Sequence, residues 1–305
     1  MNTRWLPNII LKSGVFVACG LCLASCATHH ASFESAQQER SRLLSGTFGT
    51  YDAEPRLPNR RVDTDRLVTE LVKVKANTYN FLIHHAPSDW EDLQRFLPKA
   101  RANKIKVWVT LVPPSEPPFS EPYKLDYQRW GSELAKLSLL EPSLVAWSID
   151  DFSYDAKIFT GDYIKKMVEN SRAINPKLAF VPCLYFKQMK PALVAKYRPF
   201  VDGILFPYRH EMAKANLSEW DTLPGEIAAF RSWFPAKPVI VDVYASAHSQ
   251  LGSSTTEYVR QVMAAGHSQA DGVLVFCHQY EDKNPEKYHV IKDFFNQWAA
   301  EKESK

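Results

Sequence analysis

From Gly46 onward, short continuous apolar runs alternate with longer stretches whose apolar positions recur at helical spacing. The alternation repeats at intervals of roughly 30 residues, the spacing of a βα unit. Eight pairs follow. The predicted strands are Gly46 to Asp52, Thr78 to His84, Lys106 to Val112, Leu144 to Asp150, Leu178 to Phe186, Gly203 to Tyr208, Pro238 to Tyr244 and Gly272 to His278. Helical patterns fall after them at Asp63 to Lys75, Asp89 to Asn103, Asp126 to Leu140, Gly161 to Asn175, Lys190 to Arg198, Leu217 to Phe234, Thr255 to Gly266 and Pro285 to Ala300. Asp63 and Ser88 are placed to cap the helices behind them, while Pro176 and Pro235 stop two others.

Eight successive βα units over residues 45–305 predict an α/β fold, a single-domain (β/α)8 TIM barrel. A doubly wound sheet is the alternative, but no glycine-rich phosphate loop follows the first strand. In a barrel the reactive groups gather at the C-terminal strand ends, where the loops form a cup. Those ends read Tyr51 and Asp52; His84 and His85; a Val112-Pro113-Pro114-Ser115-Glu116 loop; Asp150 and Asp151; and Tyr185. The remaining strands contribute Tyr208-Arg209-His210-Glu211, then Asp242 and Tyr244, then His278, Gln279 and Tyr280.

Strand four carries the sharpest signal. Its run Leu144-Val145-Ala146-Trp147-Ser148-Ile149 leads straight into Asp150-Asp151. Adjacent carboxyls push their pKa values apart, so one stays protonated while the other ionises. Alternation puts Ala146, Ser148 and Asp150 on one face, and the smaller side chains of that set suit the barrel interior. Asp150 then points into the cup and Asp151 leans over its rim. The plainer readings are a cap for Asp151 and an ion pair with Arg209 for Asp150. Asp242, at the end of strand seven, faces strand four across the cup. It is either a second catalytic carboxylate or a hydrogen-bonded group that holds substrate, and a catalytic pair would favour retention at about 5 Å separation and inversion at about 6.5 Å or more.

Around these acids, Tyr208, Arg209, Tyr185 and Tyr244 are candidate substrate contacts, because a phenol in the cup can donate to an oxyanion or an amide oxygen. His84 lacks the His-x-His spacing that aims two rings at one metal, so it and His278 are read as substrate contacts or packing, with no metal and no cofactor expected. Trp108 is either core or a sugar platform. Glu116 sits in a proline-stiffened loop suited to a cleft wall, and Glu211 is read as a surface charge.

The N-terminus changes the picture of where the protein works. Arg4 precedes an apolar run from Val15 through Ala24, too short to span a bilayer, and the whole of residues 1–25 reads as an export signal. Leu23-Ala24-Ser25-Cys26 is similar to the bacterial lipobox, which implies lipidation (palmitate included) at Cys26 and a polar tether over residues 26–44. Ala27 in place of Asp favours the outer membrane, with the domain facing the periplasm or the cell surface. Loss of the signal removes Arg4 and Lys12 and lowers the net charge from +3 to +1, which argues against a nucleic-acid partner. Cys183 and Cys277 lie in apolar runs and form neither a disulfide framework nor a zinc spacing. The 8 Trp and 13 Tyr supply faces that suit sugar rings.

These features together resemble glycoside hydrolases of the TIM-barrel type. The run Ser148-Ile149-Asp150-Asp151-Phe152 resembles the adjacent Asp pair of O-GlcNAcase-type hexosaminidases, in which the substrate's own acetamido oxygen attacks the anomeric carbon. The resemblance implies that Asp150 orients and polarises the acetamide, that Asp151 is the general acid and base, and that Tyr208 or Tyr244 bonds the acetamide oxygen. The same run is similar to the Asp-Asp-Gly motif of polysaccharide deacetylases, yet Phe152 replaces the glycine and no His-x-x-x-His pair follows. The expectation is therefore a monomeric lipid-anchored glycoside hydrolase acting on a poly- or oligosaccharide. A non-catalytic glycan-binding lipoprotein on the same barrel is the competing class.

Overall fold

The computed structural model describes Met1 and residues 35–303; the export signal and the lipidation expected at Cys26 lie outside the described residues. Helix α1 (residues 35–44) leads into β1 (Thr47–Tyr51), after which the chain alternates helix and strand: α2 (Thr64–Lys73), β2 (Thr78–Ile83), α3 (Asp89–Ala102), β3 (Lys106–Leu111), α4 (Tyr127–Leu140) and β4 (Leu144–Ile149). The second half runs α5 (Gly161–Ile174), β5 (Ala179–Phe180), α6 (Pro191–Tyr197), β6 (Ile204–Pro207), α7 (Leu223–Trp233), β7 (Val239–Tyr244), a hairpin of β8 (Ala247–His248) and β9 (Gly252–Ser253), α8 (Thr256–Gln269), β10 (Gly272–Phe276) and α9 (Pro285–Glu303). No helix among the described residues is long and apolar enough to cross a membrane.

Eight parallel strands form one sheet in the order β5-β4-β3-β2-β1-β10-β7-β6. A parallel bridge from Cys183 to Leu205, with the Leu184 amide donating to the Leu205 carbonyl at 2.9 Å, joins the two ends and closes the barrel. The expected (β/α)8 topology is thus present, with β10 as the eighth barrel strand. The fifth strand is shorter than its apolar run, Leu178 to Phe186, because Pro182 has no amide to give the ladder. The sixth barrel helix, α7, starts at Leu223 rather than Leu217: Pro224 sits in its first turn, where a ring without an N–H costs no helical hydrogen bond.

Alternation divides the side chains as strand geometry requires. Trp108, Ala146, Leu205, Ile240 and Leu274 pack in the barrel interior. Trp147 points outward beneath α4, where a Cβ on Gly131 would stand 3.1 Å from its ring. Gly49 allows β1 to approach β2, since a Cβ there would lie 1.9 Å from the Thr78 carbonyl oxygen. Asp63 caps α2 through the Arg66 amide, as expected. Ser88 makes no cap bond to α3; Asp89 takes over locally, accepting the amides of His84 and Ala86.

Residues 35–44, expected as the end of a polar tether, instead form α1 against the end of the barrel where the strands begin. Leu44 joins the interior cluster and would touch any Cβ placed on Gly203. Arg40, 2% exposed, pairs with Asp202 at 2.7 Å, and Asp202 also accepts from Arg172 at 2.8 Å and from the Phe180 amide at 2.9 Å. A buried charge with that many donors is fixed in place, and removing one partner of such a pair costs about 3–5 kcal/mol. The polar sequence of this helix reflects an ion pair it buries, not freedom from the barrel.

Candidate active site

At the opposite end of the barrel lies a cavity of about 670 Å3, within the size range of small-molecule sites. Its centre is the end of β4. The Asp150 amide bonds the Leu111 carbonyl, which continues the ladder one residue past the strand. Asp151 then turns at φ 45°, a left-handed conformation that Asp tolerates better than most residues. The turn aims both carboxyls at the cavity and folds the Asp151 amide back onto Asp150 Oδ1 at 3.0 Å. The Tyr51 hydroxyl donates to Asp150 Oδ2, also at 3.0 Å.

The electrostatics follow from depth. Burial, then the charges of Asp151 and Glu116, pushes Asp150 up to about 7 against an ordinary value of 3.8. Burial also raises Asp151, but the Tyr185 hydroxyl and the Arg209 guanidinium favour its ionised form and hold the rise down. The pair therefore keeps one proton close to neutrality and titrates as a unit. Tyr51 favours the Asp150 carboxylate by donating to it. Tyr51→Phe is expected to raise the Asp150 pKa further, so the limb of a kcat/KM profile set by this group moves to higher pH while maximal activity falls about tenfold. An unmoved profile would separate Tyr51 from the titrating pair.

Arg209 organises the wall beside Asp151. Its guanidinium lies 4.0 Å from the Tyr185 ring centre and donates to the Tyr154 hydroxyl at 3.0 Å. It also pairs with the Glu211 carboxylate and stands 3.2 Å from His248 Nε2. Glu211 is consequently buried and accepts the Lys187 amide at 2.8 Å, in contrast to the surface charge expected of it. One arginine ties together the loops behind β4, β5, β6 and β7.

The structure brings Asp150, Asp151, Tyr185, Arg209, Tyr244, His84 and Glu116 to this cavity, as the strand ends suggested. Four other candidates lie elsewhere. Tyr208 is fully buried on the outer face of its strand, bonded to Thr222 Oγ1 at 3.1 Å, because alternation from Leu205 turns Pro207 and Arg209 inward and Tyr208 out. That removes it as an acetamide contact. Trp108 is fully buried in the interior cluster and is core, not a sugar platform. His278 is buried beneath the cup with Nδ1 3.1 Å from Thr50 Oγ1, and burial pushes it down to about 4. Asp242 points inward as expected but lies below the cavity lining, 3% exposed, with its carboxyl raised well above the usual range by burial and by Asp150. Burial and Asp150 thus both oppose its ionisation in the barrel floor.

Sequence reasoning passed over Tyr154 and the β8–β9 hairpin that carries His248, both of which line the cavity. Neither belongs to a periodic segment, so no pattern marked them. Tyr51, Asp52 and His85 were visible as strand-end polar groups; parity turns Tyr51 inward, while Asp52 and His85 reach the cavity from the turns that follow β1 and β2.

Two groups among the described residues bring three possible metal donors within 4.8 Å of one another: Asp52, Glu54 and His85, and Asp150, Asp151 and Cys183. In the first, His85 already pairs with Asp52 at 2.6 Å and Arg56 stands 3.5 Å from Glu54. In the second, burial and the nearby carboxylates raise the Cys183 thiol far above its usual value, which opposes the thiolate a metal needs. An arginine beside the first group and a protonated thiol in the second both oppose a bound cation.

No family model matches the chain and no curated protein matches it by sequence. Solved structures do match in fold. A GH18 chitinase from Pseudoalteromonas aurantia aligns with TM-score 0.56 at 11% identity, over 83% of this chain and 99% of that one. The native form of a beta-glucanase from Saccharophagus degradans aligns with TM-score 0.57 at 9% identity, over 82% and 88%. A GH2 beta-galacturonidase from Eisenbergiella tayi bound to galacturonate gives 0.56 at 15% identity, and this chain spans 51% of its length while 83% of this chain is covered. The likeness is one of fold: these solved glycoside hydrolases share the (β/α)8 barrel that the repeating strand–helix pattern predicts.

Proposed function

We propose that the protein is a glycoside hydrolase that cleaves a poly- or oligosaccharide with Asp150 and Asp151 as its acid–base pair. The observation that carries this reading is the coupled, half-buried pair at the end of β4, opening into a sugar-sized cavity and sharing one proton near neutral pH. A purely glycan-binding protein would have no use for two desolvated carboxyls whose mutual repulsion costs stability. The likeness in fold to several glycoside hydrolases supports the same class.

The finer reading is substrate assistance on an N-acetylated sugar. Asp242 is too deep to touch substrate, so the conventional partner across the barrel is out of reach. An acetamido group from the sugar can fill that role. Asp150, deep and braced by Tyr51, accepts the acetamide N–H; Asp151, at the rim, delivers the proton to the leaving oxygen. A sugar seated over Asp151 completes its desolvation and draws the shared proton toward it. Tyr244, buried against Phe276 with ring centres 5.5 Å apart, is the phenol placed to bond the acetamide oxygen.

Export and a lipid anchor at Cys26 would place this chemistry at the cell envelope. With α1 at the barrel end opposite the cup, such an anchor leaves the cup facing away from the lipid.

The test is the anomer first released from an N-acetylhexosaminide, read by proton NMR during turnover. Acetamide participation displaces the leaving group and is itself displaced by water, so the configuration is expected to be retained. Inversion, or equal cleavage of the matching sugar without the acetamide, would contradict it.

A further inference from the structure

Among the described residues, the cup is lined by one arginine and no lysine, against four carboxylates: Asp52, Glu116, Asp150 and Asp151. An arginine in a sugar cup invites the reading that it clamps a substrate carboxylate, and the galacturonidase of the same barrel fold was solved with galacturonate. Here that reading fails on geometry. The Arg209 guanidinium has its Nη2 on Tyr154 and Glu211, its Nη1 at His248 and its face on Tyr185. Its remaining Nε is buried. No edge of the fork is left for a bidentate carboxylate.

The imidazoles do not supply a free cation either. His85 is raised by its bond to Asp52, so its charge is spent on that carboxylate. Burial lowers both His84 and His248, which disfavours their charged forms. Arg209 is matched by Glu211 while it also favours the ionised form of Asp151, and His85 is matched by Asp52. The carboxyls of Asp150, Asp151 and Glu116 are thereby left in excess over the cations of the cup. Asp151 and Glu116 raise Asp150, and Asp151 with Asp155 raises Glu116.

We infer that the cup selects sugars without a carboxylate, rejecting uronic acids and favouring neutral or amine-bearing hexoses. The inference deepens the hydrolase reading and rests on it only for the cup being the sugar site. Arg209 is then a positioning residue, which fixes Asp151 and four loops and touches no substrate. A uronate would add a negative charge to a site that already holds Glu116 and the proton-sharing Asp150–Asp151 pair beyond its matched charges. An ammonium group would relieve the same repulsion.

The test measures binding, without turnover, of the full-length protein to glucose, glucosamine and glucuronate, and to galactose, galactosamine and galacturonate, by ligand-observed NMR at pH 7. In each set the uronate is expected to bind at least about tenfold more weakly than the parent hexose, and the amino sugar at least as tightly as it. The gap should narrow in high salt and in Glu116→Gln. Uronate binding equal to or tighter than the parent sugar overturns the inference, as does failure of all six to bind. Arg209→Lys provides the second arm: its loss of a planar fork should lower kcat and shift the pH profile without improving or worsening the uronate ratio. A uronate ratio that changes in Arg209→Lys returns Arg209 to the substrate. A clear binding order without glycan cleavage would sink the hydrolase reading and leave charge selection standing.

Discussion

Asp151→Asn is expected to lower kcat/KM by about 10²–10⁴-fold, the range typical for loss of a positioned general acid or base, with folding unaffected. Asn is close in shape to Asp and is among the few residues at ease at positive φ, so the turn at φ 45° survives. Tyr185 and Arg209 lose an anionic partner, but Arg209 keeps Glu211 and its three other contacts. The loss therefore belongs to the chemistry. Matching circular dichroism spectra and unfolding midpoints for the two proteins, beside the collapse in rate, would show it; an equal drop in stability would assign the effect to folding.

Asp150→Asn is expected to change the pH dependence of stability while also removing activity. In the folded protein Asp150 stays protonated up to about 7, whereas in the unfolded chain it ionises around 3.8. Below 3.8 both states carry the proton and nothing is lost. As pH rises toward 7 the unfolded state gives up its proton and the folded state does not, so wild-type stability declines through this window and levels off above it. At about 1.4 kcal/mol per unit, the decline is on the order of 4 kcal/mol. Glu54, pushed up to about 7 by burial and Asp52, adds a slope of the same sign, as does buried Asp242. The difference between variant and wild type isolates Asp150. A carboxamide at this position has no proton to lose, so urea unfolding should show the variant gaining on the wild type from pH 4 to pH 7. The gain follows a roughly pH-independent penalty of about 1 kcal/mol for the acceptor that Tyr51 or the Asp151 amide loses. Parallel curves would mean that Asp150 is not held neutral.

These two residues show which parts of the site a chain of amino acids makes legible. The barrel was legible because each strand and helix obeys its own period, and because loops such as those at Pro176 and Pro235 punctuate them. Asp150 and Asp151 were legible because carboxyls following an apolar strand have no structural reason to be there. Parity decided Asp150 correctly and would have turned Tyr208 outward had it been counted from the Leu205 position. Asp242 shows the limit of parity: it gives the face but not the depth, and β7 places that carboxyl below the floor while β4 carries Asp150 one residue past its end. The roles of Arg209 and Glu211 depend on contacts between residues up to 55 positions apart in four loops, and loops have no period. The polar character of residues 35–44 suggested a tether because a buried Arg40–Asp202 pair is indistinguishable in sequence from two solvated charges.

Whether the Asp150–Asp151 cup hydrolyses a glycosidic bond is decided by incubating the purified protein and its Asp151→Asn variant with a panel of bacterial and algal glycans while new reducing ends are counted. The wild type is expected to release them at least about 10²-fold faster than the variant on at least one glycan. Equal release by both proteins, or release by neither, would contradict that role for the cup.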